Sequence, residues 1–190
     1  MTKSQLRKHF LTKQKSLSPQ ERQNLSRKVA ENFFSHFDLT KIKVFHCFLP
    51  IEKFNEIDTM LIFEKLWKEF PNIETFVPKI NFQENEIESI KFNQETLVQE
   101  NKWSIKEPQE GESISPVEID MTLVPLLCFD LNGFRIGYGK GFYDRFLKKC
   151  RQDTRKIGLS YFEPIEKIAD IQEHDVKLDF CITPEKIFEF

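Results

Sequence analysis

Four of the six glycines in this 190-residue chain lie within one stretch of eighteen residues, 130–147. Glycine loses more backbone freedom on folding than any other residue, so the cluster is costly unless the backbone needs unusual angles or close approach by a ligand. Three bases, Arg135, Lys140 and Arg145, are interleaved with the glycines. An apolar, strand-like run (121–129) precedes the stretch, and a helical pattern (142–149) follows. A strand, a basic glycine-rich loop and a helix N-terminus together predict a phosphate-binding loop.

The spacing of these glycines matches neither of the two common nucleotide-binding fingerprints. A Walker loop requires Ser or Thr after its Gly-Lys pair, whereas Lys140 is followed by Gly141. The dinucleotide motif Gly-x-Gly-x-x-Gly differs from the spacing here, Gly137-x-Gly139-x-Gly141. Alternating glycines still allow successive N–H groups to face one anion, and Lys140 and Arg135 would neutralise its charge. A tight strand-to-helix connection with incidental charge is the weaker interpretation.

Asp144 is an acid beside a predicted anion site. In the first turn of a helix it would stabilise the helix dipole by roughly 0.3–1 kcal/mol. Alternatively, its carboxylate would hold Mg²⁺ against bound phosphates. The residues alone leave both interpretations open.

A second pair of bases lies on the N-terminal helix, predicted over residues 3–17. At 100° per residue, Lys3 and Arg7 fall inside the apolar stripe that contains Leu6 and Phe10. Their aliphatic stems could line the core edge while the charged heads reach water. The other interpretation is that both heads meet an anion where this helix packs on the rest of the protein.

The remaining pattern alternates strands and helices. Ser18-Pro19-Gln20-Glu21 is typical of a helix start, and Asp58 is placed to cap a helix over 59–70. Strands are predicted at 42–49, 73–77, 86–92, 121–129, 156–160 and 180–183, with Pro78 closing the second and Pro125 bending or ending the fourth. This order predicts a single α/β domain, residues 1–190, with a mostly parallel central sheet flanked by helices in a Rossmann-like three-layer sandwich.

Two further residues are candidates for ligand contact. Glu56 lies just past the carboxyl end of a strand, where open α/β sheets bind ligands, although a solvated loop acid is the simpler interpretation. Trp103 lies in the longest irregular segment, 94–117, and is either a packing anchor or a wall for an aromatic ligand.

Composition excludes several classes of protein. A formal charge of −2 argues against a protein that coats nucleic acid or anionic membrane. The chain has no apolar run of spanning length and no signal-peptide pattern, so we expect a cytoplasmic protein. Its four cysteines form no CxxC pair, which favours free thiols over disulfides or a zinc site.

The stretch Gly133-x-Arg135-Ile136-Gly137-Tyr138-Gly139-Lys140-Gly141-Phe142-Tyr143-Asp144-Arg145-Phe146-Leu147 resembles the 5-formyltetrahydrofolate cyclo-ligase (methenyltetrahydrofolate synthetase) family. Further matching residues span nearly the whole chain in the family's order: Lys3, Arg7, Pro50, residues 55–59, Trp103, Ile105, Glu107, Pro108, residues 124–125, 129–130, His174 and Asp175. Leu126 departs from the family, which often has glycine there.

The resemblance implies an ATP- and Mg²⁺-dependent ligase that converts 5-formyltetrahydrofolate to 5,10-methenyltetrahydrofolate. It assigns Mg²⁺ to Asp144 and Asp175, and catalysis to Lys140 and Arg135. It assigns ATP to Lys3, Arg7, Arg135, Gly137, Tyr138, Gly139, Lys140, Gly141, Phe142 and Tyr143. The residues assigned to the reduced folate are Ile51, Glu56, Trp103, Tyr138 and Gly139. Its partners would be these two small molecules, with no nucleic acid or membrane, and the enzyme would be a monomer.

Two other classes of protein remain compatible with the residues. A sugar-phosphate isomerase or CoA-transferase-like enzyme of related architecture could also use a glycine-rich anion loop, but it would need no pair of metal-binding aspartates. A non-catalytic folate-binding protein would keep the pocket, although the intact Lys140 and Asp144 argue against lost turnover.

Overall fold

An eight-stranded mixed sheet forms the centre of the computed structural model, which describes residues 1–101 and 104–190. The α-helices are α1 (Lys3–Lys15), α2 (Pro19–His36), α3 (Met60–Glu69) and α4 (Phe142–Lys149). The strands are β1 (Val44–Cys47), β2 (Glu74–Asn81), β3 (Glu86–Lys91), β4 (Val98–Glu100), β5 (Lys106–Pro108), β6 (Ser113–Ile114), β7 (Met121–Pro125), β8 (Cys128–Phe129), β9 (Arg135–Ile136), β10 (Arg155–Leu159), β11 (Phe180–Ile182) and β12 (Ile187–Glu189).

The main sheet has the order β12-β11-β10-β7-β1-β2-β3-β6. Its five central strands, β11, β10, β7, β1 and β2, are parallel, whereas β12, β3 and β6 are antiparallel to their neighbours. The strands β4 and β5 form one separate hairpin, and β8 and β9 form another. The predicted α/β fold with a mostly parallel sheet is confirmed.

Helices cover both faces of the sheet. On β7, Met121 and Leu123 pack in the cluster that includes buried residues of α1, α2 and α3. Val124 points to the opposite face and packs in the cluster that includes Phe146 and Leu147 of α4. The alternation of neighbouring residues between two apolar layers is what a strand covered on both sides requires.

The predicted helix starts are close to those observed. Ser18 and Glu21 form the reciprocal capping box at the start of α2. At α3 the N-cap residue is Thr59, whose hydroxyl donates to the Phe48 carbonyl at 2.7 Å instead of capping the helix. Asp58 supplies the expected acceptor, because its Oδ1 takes the Met60 N–H at 3.2 Å.

Two strand predictions need correction. Strand β2 does not close at Pro78 but continues through it to Asn81. Strand β1 pairs with β2 only as far as Phe76, so at position 78 no residue of β1 requires the backbone N–H that proline lacks. Residues 94–117 contain the β4–β5 hairpin and β6, which are too short to give a periodic signal. At Pro125, β7 ends as predicted, and the chain continues into the β8–β9 hairpin.

Within residues 1–101 and 104–190, no helix has both the length and the apolar character needed to cross a bilayer.

Leu126, the departure from the family pattern, is buried. A Cβ at Gly158 would lie 2.6 Å from a Leu126 methyl carbon, so the absent side chain of Gly158 provides the space that this leucine fills.

Candidate active site

The glycine-rich loop connects the β8–β9 hairpin to the N-terminus of α4. Gly139 (φ +92°) and Gly141 (φ +69°) have backbone angles that L-residues rarely adopt. Gly141 is the N-cap residue of α4, and among the residues that the structure describes no side chain caps this helix end. The first N–H groups of α4 are therefore available to an anion.

Helix α1 packs directly against this loop. The Arg7 Nε donates to the Gly137 carbonyl at 2.9 Å. A Cβ at Gly139 would lie 2.9 Å from the Arg7 guanidinium carbon, so Gly139 leaves room for Arg7. Lys3 forms an ion pair with Asp175, with both side chains less than one-fifth exposed. Both basic heads of α1 therefore lie against the body of the protein rather than in bulk water.

Asp144 is held by two protein donors. Its Oδ1 accepts from Arg135 Nη2 at 2.9 Å and from the Val176 N–H at 3.1 Å. Arg135 is buried, and its Nη1 donates to the Val176 carbonyl at 2.6 Å. Asp144 therefore belongs to a network that joins α4 to the segment around Val176, which a role in the helix dipole alone does not explain.

Asp175 lies next to Val176 and is bonded through its Oδ2. This oxygen accepts the Gln172 N–H at 2.6 Å and also pairs with Lys3. Burial by itself would raise the pKa of Asp175, but the Gln172 N–H and the Lys3 ammonium outweigh burial and lower the pKa below its ordinary value. Asp175 is therefore ionised at neutral pH.

The two aspartates suit a divalent cation that is shared with phosphate oxygens. In the described residues, no hydrogen bond reaches Asp144 Oδ2 or Asp175 Oδ1, so each carboxylate has an oxygen available. No group of three or more His, Cys, Asp or Glu residues occurs in that part of the chain. Mg²⁺ typically takes one or two carboxylates and completes its shell with water and substrate phosphates. The residues therefore fit Mg²⁺ bound together with a nucleotide.

Glu56 lies beneath the other side of the loop. It is 5% exposed, and its Oε2 accepts the Ile51 N–H at 2.7 Å. Burial raises the pKa of Glu56 to about 7, and the neighbouring Tyr138 hydroxyl and the Ile51 N–H oppose this increase. Glu56 is thus an interior acid near half-protonation at physiological pH and differs from an ordinary solvated loop acid.

Tyr138 inserts from the glycine-rich loop toward Glu56. Its ring stacks on Phe54, with centroids 5.0 Å apart and planes at 22°. Gln14 of α1 donates to the Phe54 carbonyl at 2.7 Å and to the Tyr138 hydroxyl at 3.4 Å. The loop, α1 and the segment after β1 therefore meet at one buried aromatic contact.

The outer side of the loop meets the β2–β3 turn. Phe142 makes an edge contact with Phe82 at 5.9 Å between ring centroids. Arg145 Nε donates to the Asn85 carbonyl at 2.8 Å, and its Nη2 donates to the Lys140 carbonyl at 3.2 Å. The Lys140 side chain itself is exposed. The Tyr143 hydroxyl is buried with no hydrogen-bond partner among the described residues.

The structure thus brings most of the sequence-predicted site residues together around one loop. Trp103 lies outside the described residues. Sequence reasoning missed Gln14, Phe54 and Phe82. Gln14 had a usable signal, because it is a polar residue inside the apolar stripe of α1, whereas Phe54 and Phe82 are aromatics in turns with no periodic pattern.

The central strands of the sheet are parallel, and beside them lie a basic glycine-rich loop, a pair of carboxylates and a buried acid. This arrangement is typical of an α/β enzyme that binds an anionic ligand at the strand ends. The sequence model of the 5-formyltetrahydrofolate cyclo-ligase family matches residues 1–184. The chain belongs to this family of ligases.

Individual relatives agree with the family match. A mouse 5-formyltetrahydrofolate cyclo-ligase is 29% identical over 185 residues, which cover 92% of this chain and 89% of the mouse protein. The solution structure of Aquifex aeolicus 5,10-methenyltetrahydrofolate synthetase has a TM-score of 0.84 and 34% identity, and covers 100% of this chain and 93% of its own. The structure of the 5,10-methenyltetrahydrofolate synthetase of Mycoplasma pneumoniae has a TM-score of 0.77 and 30% identity. The match covers 97% of this chain and 99% of the Mycoplasma chain.

Proposed function

We propose that this protein catalyses the ATP-dependent cyclisation of 5-formyltetrahydrofolate to 5,10-methenyltetrahydrofolate, with release of ADP and phosphate. The family match supports this reaction over the isomerase and the non-catalytic alternatives. The observation that carries the proposal is the position of Tyr138. It belongs to the glycine-rich loop and hydrogen-bonds the buried Glu56, so a phosphate site on the loop and a site for a polar heterocycle at Glu56 would be contiguous.

The reaction needs phosphorylation because a formamide oxygen is a poor leaving group. The formyl oxygen attacks the γ-phosphorus of ATP, and the bond from that phosphorus to the bridging oxygen of ADP breaks. N10 then attacks the activated formyl carbon and releases its proton, the C–O bond to the phosphorylated oxygen breaks, and inorganic phosphate leaves as the ring closes. Phosphoryl transfer of this kind depends mostly on positioning and on neutralising charge.

The phosphates of ATP would bind at the glycine-rich loop and the open N-terminus of α4. Lys140 is an exposed cation on this loop, and we assign it to the transferred phosphoryl group. Arg7 is already placed on the loop by its bond to Gly137, and Lys3 lies beside Asp175. The remaining loop contacts are assigned to Gly139, Gly141, Phe142 and Tyr143, whose unpaired hydroxyl is a donor without an internal acceptor.

Asp144 and Asp175 would hold Mg²⁺ through the oxygens that receive no hydrogen bond. When bound, Mg²⁺ would neutralise the charge that develops on the phosphates. The two carboxylates would contribute the fixed part of its shell, and the hydrogen bond from the Val176 N–H to Asp144 Oδ1 links α4 to the residue that follows Asp175.

The reduced folate would bind on the Tyr138 side of the loop. We assign its pterin ring to Glu56, with Ile51 and Gly139 close by, and Trp103 stays a prediction for the same substrate. Because the Tyr138 hydroxyl hydrogen-bonds Glu56, a pterin that pairs with this carboxylate would compete with that hydrogen bond.

We also propose that the enzyme acts as a cytoplasmic monomer. All four cysteines are free thiols, as is usual in a reducing compartment.

The test is to incubate the protein with 5-formyltetrahydrofolate, ATP and Mg²⁺ and to follow the absorbance of the methenyl product. Absorbance that requires ATP supports the proposal, and its absence would contradict it.

Lys140→Ala should lower kcat by roughly 10²–10³, the usual cost of removing one donor to developing charge. Its melting temperature should stay at the wild-type value, because Lys140 is exposed. Lys148→Ala, at an exposed position in the last turn of α4, is the matched control.

A further inference from the structure

We propose that Arg135 is a positioning residue, which holds Asp144 and Asp175 in place for a metal ion and does not contact the nucleotide. The inference builds on the proposed function, because it concerns the metal that would accompany ATP. It also revises the role that the family resemblance suggests for Arg135, as a direct phosphate ligand and catalytic residue.

The first observation is the depth of the guanidinium. The Arg135 side chain is 5% exposed, whereas that of its partner Asp144 is 23% exposed. A ligand that arrives from solvent therefore meets the carboxylate before it meets the guanidinium. Lys140 and Lys3, in contrast, carry cations nearer the surface.

The second observation is how the donors of Arg135 are used. Nη2 donates to Asp144 Oδ1 at 2.9 Å, and Nη1 donates to the Val176 carbonyl at 2.6 Å. The Val176 N–H returns to the same Asp144 oxygen at 3.1 Å. The three groups form a closed set of hydrogen bonds in which both terminal nitrogens of the guanidinium are directed at the protein.

The third observation is what this set of bonds joins. Asp144 lies in the first turn of α4, and Val176 follows Asp175 on a segment distant in sequence. By binding the Asp144 carboxylate and the Val176 carbonyl, the guanidinium fixes the relative position of the Asp144 and Asp175 carboxylates. It contacts only Oδ1 of Asp144. Burial lowers the pKa of Arg135, and the charges of Asp144 and Asp175 oppose this, so both acids act on the guanidinium.

Arginine suits this role better than lysine. Its planar fork offers two nitrogens in fixed directions, whereas a lysine ammonium is a point charge on a flexible stem. The backbone of Arg135 is fixed as well, because the residue pairs with Phe129 in the β8–β9 hairpin. Arg135→Lys therefore keeps the charge and removes the simultaneous contact with Asp144 and Val176.

Two titrations separate positioning from phosphate contact. The first measures binding of Mn²⁺ in the presence of ADP, by the loss of the free-ion electron paramagnetic resonance signal. The second measures binding of ADP with EDTA present. For Arg135→Lys we expect Mn²⁺ affinity to fall roughly 10–100-fold, as is typical when a partner behind a metal ligand is removed. The metal-free ADP affinity should stay within about twofold, because the guanidinium does not contact the nucleotide. If Arg135 instead bound phosphate through two parallel hydrogen bonds, the change to lysine would remove most of that contact and ADP affinity would fall.

Arg151→Lys is the matched control. Arg151 pairs with Asp120 at the amino end of β7, and it follows the C-terminus of α4, whereas Asp144 lies in the first turn of this helix. The same change of residue type there should leave both titrations at the wild-type values. Circular dichroism checks the fold of each variant. If Arg135→Lys lacks the native spectrum, the titrations are made on Arg135→Gln, which keeps one amide donor.

A double variant tests the route of the effect. If Arg135 acts through Asp144, the Mn²⁺ loss in Arg135→Lys combined with Asp144→Asn should be no greater than in Asp144→Asn alone. Loss of metal-free ADP binding in Arg135→Lys, or an unchanged Mn²⁺ affinity, would overturn the inference. Since neither titration uses folate, a failed cyclisation assay would leave this result interpretable on its own.

Discussion

Glu56 is the residue whose chemistry depends most on its surroundings. Its pKa is raised to about 7 because the carboxylate is buried, against 4.5 for an ordinary glutamate. The folded protein thus retains this proton between pH 4.5 and 7, where the unfolded chain has released it. Stability from Glu56 is fully present below pH 4.5 and is lost as pH rises to about 7, by on the order of 3 kcal/mol.

Glu56→Gln should abolish this dependence. The neutral amide avoids the cost of a buried charge, so the melting temperature of the variant should exceed that of the wild type at pH 8 and approach it at pH 5. Glu64→Gln, on the exposed face of α3, is the control. A wild-type protein whose melting temperature, relative to the Gln variant, is constant from pH 5 to 8 would show that Glu56 is already charged in the fold. Folate affinity should weaken in Glu56→Gln if the carboxylate binds the pterin.

Single residues also show where sequence reasoning reaches its limit. The glycines, Lys140 and Asp144 predict an anion-binding loop from composition and spacing alone. The bonds of Arg135 to Val176 and of Gln14 to Phe54 join segments far apart in sequence. No local pattern encodes such contacts, so the sequence did not predict that Arg135 donates to Asp144 and Val176.

At the scale of elements, the strongest local signals gave the most accurate predictions. Helix α4 has the predicted bounds, and α2 starts at the predicted capping box, because caps and amphipathic spacing are local properties. The short strands β4, β5, β6, β9 and β12 were not predicted, since two or three residues cannot show a period. They form through pairing with partners that the chain supplies elsewhere.

The contact between α1 and the glycine-rich loop predicts that a side chain at Gly139 destabilises the protein. Gly139→Ala places a Cβ 2.9 Å from the Arg7 guanidinium carbon at a φ of +92°. A strained backbone of this kind costs roughly 1–3 kcal/mol, so the melting temperature should fall by several degrees. Gly137→Ala is the comparison, since its Cβ would meet no atom of the described residues within 4 Å. Equal melting temperatures for the two variants would mean that neither the backbone angle of Gly139 nor its contact with Arg7 constrains the loop.

At the scale of the whole molecule, the proposed site combines four separate parts of the chain. Helix α1 would contribute Lys3 and Arg7, the segment after β1 Glu56, the loop before α4 the anion site, and the segment before β11 Asp175. All four parts lie within residues 1–184, which the family model matches. Strands β1 and β7 are parallel neighbours, so the segments that follow them leave the same edge of the sheet.

We propose that at this combined site the phosphoryl group of ATP is transferred to the formyl oxygen of the folate. We would prepare 5-formyltetrahydrofolate with ¹⁸O in the formyl group, allow one turnover with ATP and Mg²⁺, and analyse the released phosphate by mass spectrometry. We expect one ¹⁸O atom in each phosphate, because the C–O bond breaks after phosphorylation. Unlabelled phosphate, with the ¹⁸O recovered in water, would contradict it.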